Sequence, residues 1–134
     1  MNPHTLMSNI HWVPVIVMTI LSFVLGFAWH QPFLFGKTWK VENNYNDSSK
    51  TNAPVIFGGT ALMHFLALAG LNAVTAGIGA LQGLHTGLLI SFIWILPAMA
   101  GTYLFANRSL KLLFIDAGMY MVLFSLAGLI FGVW

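Results

Sequence analysis

Asp116 is the one acid in the apolar part of this chain, within the run Arg108 to Trp134, RSLKLLFIDAGMYMVLFSLAGLIFGVW. An ionisable side chain inside a stretch long enough to cross a bilayer is expensive, so its default reading is a site turned toward protein or water and away from lipid. His64 is the titratable group of another apolar run, the one that follows Pro54. Asp116 lies about 9 Å into its helix at 1.5 Å per residue, and His64 at a comparable depth from the same face, so the two are expected to meet. A His and Asp pair shielded from lipid has the form of a proton relay or of a polar substrate contact. The competing account is a structural lock between helices, made by the pair or by Asp116 with Lys37, Lys111 or Arg108, and the lock is preferred. Thr60, His64, Asn72 and Thr75 fall within about a third of the helix circumference at 3.6 residues per turn. With Asp116 they form a polar stripe that could carry protons or a small solute.

A second set is weaker. His11 and His85 fall at one predicted membrane face, with His4 nearby. Two imidazoles on facing helices could ligate a haem axially, or hold a metal with a third ligand. Without a local carboxylate or tight spacing, interfacial polar residues are the plainer account, and no cofactor is expected. The chain has no cysteine, which excludes disulfides, thiolate metal sites and thiol catalysis. No nucleophile elbow, phosphate loop or paired acids appear, so the reading is non-enzymatic.

The elements that position these groups follow from composition. Of 134 residues, 58% are hydrophobic and 6% charged, where a soluble domain carries about 25% charged residues. Such a chain cannot cover itself with polar surface in water, and it reads as an integral membrane protein. Helices satisfy their own backbone hydrogen bonds in lipid, whereas a barrel would show alternating segments of about ten residues, which are absent here. The fold class is therefore all-α, a polytopic membrane four-helix bundle forming a single domain. Five Lys plus Arg against three acids is too small a balance for nucleic-acid binding and is read for topology.

The spans are expected at about 11–30, 55–76, 84–106 and 109–133, with a polar loop at about 40–54. The first eleven residues carry no Lys or Arg, and AWHQPF offers no small-residue cleavage pattern, so the first run is expected to remain in the protein. Ser8 or Asn9 is expected to cap it, with Pro14 in or near its first turn. Ser22 and Gly26 share a face that lets another helix approach. HQPFLFGKTWK interleaves Phe33, Phe35 and Trp39 with Lys37 and Lys40, which suits a short element at headgroup level. Gly79, Gly83 and Gly87 are either a packing ridge or a turn, and the turn is preferred. Pro97 is expected to kink the third span. Gly128 and Gly132 form a Gly-x-x-x-Gly pair near the end of the fourth.

All five basic residues, Lys37, Lys40, Lys50, Arg108 and Lys111, fall on the loops after the first and third spans. The positive-inside rule then puts these loops in the cytoplasm and both termini on the outer side. The sequons Asn46-Asp47-Ser48 and Asn107-Arg108-Ser109 would face the cytoplasm and carry no sugar.

Two stretches, GFAWHQPFLFGKTW (Gly26 to Trp39) and the run from Arg108 to Trp134, resemble those of the domain of unknown function 1761 family, small bacterial four-helix membrane proteins. The resemblance rests on Gly26, Trp29, Pro32, Phe35, Gly36, Lys37 and Trp39, then on Asp116, Gly128, Gly132 and Trp134. His30 stands where that family more often has Tyr. The resemblance implies the four-helix architecture and a place in the bacterial inner membrane, and it transfers no activity. The expected role is a non-enzymatic bundle that self-associates or docks as a subunit of a larger membrane complex, in contact with lipid. The alternative is a small transporter or channel subunit using the polar stripe of the second helix.

Overall fold

A computed structural model describes residues 2–46 and 51–134. Asp47, Ser48 and Lys50, which entered the sequon and charge arguments, lie outside the described residues. Four helices are long and apolar enough to cross a membrane: Trp12–Trp29, Ala53–Thr75, Ala80–Phe105 and Leu110–Val133. They are called here the first to fourth spans. Two short helices, Pro3–Ser8 and Gly36–Glu42, flank the first.

Each boundary has a local cause. Asn2 caps Pro3–Ser8, accepting from the His4 N–H at 3.0 Å. Neither Ser8 nor Asn9 caps the first span, as had been expected. Ser8 donates back to the Thr5 carbonyl at 2.9 Å, and Asn9 closes the short helix. The cap position falls instead to His11, whose N–H is satisfied by Asn72 of the second span at 2.7 Å. Asn52 caps the second span through Val55, and Pro54 stands in its first turn, where a missing N–H does no harm. Ser109 caps the fourth, accepting from Lys111 and Leu112 at 3.1 and 3.4 Å.

The third span starts four residues earlier than expected, because the glycine series divides its labour. Gly77 (φ +73°) and Gly79 (φ +101°) make the turn, conformations that an L side chain adopts only with strain. Gly83 and Gly87 lie inside the helix and are the packing ridge. Before Pro97 the span widens into a π turn at Ser91–Ile95. Proline lacks an N–H and its ring crowds the carbonyl four residues back, and a wider turn relieves both faults.

The fourth span is the hub. Leu123, Phe124, Ala127 and Phe131 are buried together with Val15, Met18, Leu68 and Leu71 from the first two spans. On its other side the third span packs backbone to backbone. A Cβ built on Gly83 would overlap the Gly128 carbonyl and come within 3.2 Å of Gly132 Cα, and one on Gly87 would overlap the Phe124 carbonyl. The Gly79 N–H donates to the Gly132 carbonyl at 2.8 Å, which fixes the register of the seam. Gly128 and Gly132, by their Gly-x-x-x-Gly spacing, would equally suit approach by another chain. They are occupied within this one, since the tight turn at 77–79 delivers a matching glycine ridge directly onto them.

Candidate functional site

The two motif stretches, far apart in sequence, close on one another at the end of the bundle that carries Lys37, Lys40, Arg108 and Lys111. The Trp29 indole N–H donates to the Ile115 carbonyl at 2.9 Å, and its ring lies 4.6 Å from that of Phe35. After Pro32 the chain folds back sharply. The Phe35 N–H reaches the Trp29 carbonyl at 3.2 Å and the Gly36 N–H the Gln31 carbonyl at 3.1 Å. Any side chain at Gly36 would run into the His30 carbonyl, so glycine there is a condition of the turn. The turn launches Gly36–Glu42 back across the bundle and delivers Trp39 to the acid.

Asp116 therefore has neutral partners. Trp39 Nε1 donates to Oδ1 at 3.0 Å and the Tyr103 hydroxyl donates to Oδ2. The basic residues considered as its partners are engaged elsewhere or stand outside. Lys111 pairs with Glu42 at 3.9 Å. Arg108 donates to Asn43 and sits 5.1 Å from the centre of the Tyr103 ring. Lys37 is exposed.

His64 does not meet Asp116 directly, contrary to expectation. The second span begins at Ala53, which sets His64 eleven residues into its helix and Asp116 six into its own, so His64 is about 7 Å deeper. Tyr120, one turn beyond Asp116, reaches it instead, with its hydroxyl 3.4 Å from Nε2. On the other side Nδ1 lies 2.8 Å from Ser22 Oγ. That hydroxyl donates its proton to the Thr19 carbonyl at 2.6 Å, so Nδ1–H must be the donor to Ser22, and Nε2 accepts from Tyr120. The chain of donors runs from Tyr120 to His64 to Ser22 and ends on a backbone carbonyl, which cannot pass a proton on.

The rest of the stripe is divided. Thr60 lines the cavity beside His64 and a second one toward Lys40. Thr75, fully buried, spends its hydroxyl on the Leu71 carbonyl at 2.7 Å. Asn72, also fully buried, supports His11, and its Nδ2 has no partner among the described residues. His11 and His85 are both exposed, and no three His, Asp or Glu side chains gather as a metal site among the described residues. Tyr103 and Tyr120 were missed in the sequence, and Ser22, whose spacing there suggests packing, is bonded to His64. The available signal was Tyr120 standing one turn from Asp116.

Three cavities meet around His30. One of about 380 Å³ is bordered by Trp39, Asn43, Tyr103, Arg108, Asp116 and Tyr120. A second of about 340 Å³ runs down to His64, and a third of about 580 Å³ reaches Lys40 and Tyr45. His30 lines all three. Its Nδ1 donates to the Gly26 carbonyl at 2.8 Å, and its ring meets that of Trp39 edge-on at 5.3 Å.

Four apolar spans with an acid held inside by neutral donors define an all-helical, multi-pass membrane protein. The chain belongs to the family of proteins of unknown function DUF1761, whose model matches residues 13–132 and so takes in the first motif stretch, the second up to Gly132, and the four spans except the outermost residue of the first and of the fourth. No curated protein and no solved structure matches it.

Proposed function

We propose that the protein is a non-enzymatic bundle of the bacterial inner membrane that docks sideways on a further membrane helix, from a second copy or from a larger complex, with its basic end in the cytoplasm. The observation that carries this reading is Trp94. It stands fourteen residues after Ala80 and eleven before Phe105, hence about 21 Å into the span, and its side chain is 67% exposed. Tryptophan favours the membrane interface, where its N–H finds a partner; an uncovered indole at mid-span is out of place against lipid alone. It sits in the π turn, beside a groove of about 580 Å³ formed with Gly70 and Ala67 of the second span. Gly70 has nothing within 4 Å of a built Cβ, which leaves room for a close-packed helix.

The rival reading, a small transporter or channel subunit, draws on the cavities at the basic end. Against it, Val15, Leu68 and Phe131 are fully buried, and beyond them the Asn72 side-chain oxygen and the Thr75 hydroxyl are spent on structural bonds. A photo-crosslinking residue at position 94, in cells and in lipid nanodiscs, tests the docking. Crosslinks to protein, with Trp94→Ala lowering the assembled fraction in native mass analysis, are expected. Crosslinks to lipid alone from a chain that stays monomeric would end this reading.

A further inference from the structure

Asp116 and Arg108 border the same cavity of about 380 Å³, yet among the described residues no ion pair joins them. Each is held by its own neutral partners. The carboxylate takes Trp39 and Tyr103, while the guanidinium takes Asn43 and the face of the Tyr103 ring. The Tyr103 ring thus stands between the opposite charges, with its hydroxyl on Asp116 and its face toward Arg108. The cavity is left with a negative pole and a positive pole.

The remaining donors and acceptors follow the same division. Asp116 has about four lone-pair sites, of which two are used. His30 carries its proton on Nδ1, bound to the Gly26 carbonyl, so Nε2 presents a lone pair and has no protein partner among the described residues. Trp39 adds an aromatic face to the same wall. At the other pole Arg108 keeps most of its five donors, and the Asn43 amide adds its own.

We propose that this cavity binds a small zwitterion, a primary ammonium joined through a short chain to a phosphate or carboxylate, with the ammonium at Asp116 and His30 and the anionic group at Arg108 and Asn43. The depth of the poles selects the source. Asp116 lies inside the fourth span and Arg108 just before it begins, so the ammonium goes in first and the anion remains toward water. An aminophospholipid in a bilayer holds its ammonium outward of its phosphate. The fit is therefore to a soluble zwitterion entering from the aqueous face of the basic end. This site is independent of the lateral docking proposed above.

The test is titration calorimetry on the full chain in nanodiscs of phosphatidylglycerol, which brings no amine. The probes are phosphoethanolamine and γ-aminobutyrate, with ethanolamine and inorganic phosphate as single-charge controls. Saturable binding of at least one zwitterion, each control at least tenfold weaker, supports the proposal. Arg108→Gln, outside the spans, and Asp116→Asn, whose amide oxygen still accepts from Trp39 while its NH2 can donate to the Tyr103 hydroxyl, should each weaken the zwitterion at least tenfold. Three results would overturn it: no heat from either zwitterion at about 10 mM, well above a millimolar Kd; ethanolamine binding as well as phosphoethanolamine; or full affinity in Arg108→Gln. Retention of phosphatidylethanolamine by native mass analysis while both soluble probes fail would also overturn it.

Discussion

Asp116 shows how far a single residue can be read before its neighbours are known. That an acid in an apolar run needs shielding follows from the cost of charge in lipid. Which groups shield it depends on the turn after Pro32, a tertiary event that brings Trp39 in from a separate element. His64 illustrates the same limit, since it lies five residues further into its helix than Asp116 does into its own and bonds to Ser22 and Tyr120 instead. Trp39→Phe removes one donor to the carboxylate and is expected to cost about 1 kcal/mol, near the range for polar pairs in membrane bundles. Combined with Asp116→Asn it should show a coupling on the order of 1 kcal/mol. His64→Leu with Asp116→Asn should instead add to within about 0.5 kcal/mol, because the two groups bond to different partners. Thermal unfolding of these variants in one detergent measures both cycles. Strong coupling of His64 to Asp116 would mean that they touch after all.

Among the elements, the third span is bound to the bundle by absence of side chains. At the end away from the basic residues its contact with the fourth is carried by Gly83 and Gly87 against Gly128 and Gly132, with carbonyl groups where side chains would otherwise stand, whereas Leu96 and Tyr103 pack by their side chains at the other. Gly83→Ala should destabilise the fold by more than about 2 kcal/mol, since backbone on the facing helix cannot move aside as a side chain would. Gly101→Ala, in the same span with nothing within 4 Å of the built Cβ, should be neutral or stabilising by about 0.5–1 kcal/mol through helix propensity. Equal unfolding temperatures for the two variants would show that the seam is looser than described. The four-residue spacing of these glycines was visible in the sequence. Their partner was not, because Gly-x-x-x-Gly pairs mark close approach and carry no address.

At the scale of the whole molecule, hydropathy and turn residues made the four spans legible to within about four residues, and the connectivity follows from them. The His11, Asn72 and Gly79 to Gly132 contacts gather the N-terminal end, the second connection and Val133 at one end. Lys37, Lys40, Arg108 and Lys111 gather at the other. The positive-inside rule acts on that asymmetry and predicts a cytoplasmic basic end. The chain has no cysteine, so Asn2→Cys and Val41→Cys each supply one unambiguous label at an exposed position. An impermeant maleimide on intact cells is expected to modify Asn2→Cys, and to reach Val41→Cys only after the membrane is opened. The reverse pattern would invert the bundle. It would also turn the mouth beside Arg108 outward, so that a zwitterion bound at Asp116 would be drawn from outside the cell, while every internal contact of the fold would stand unchanged.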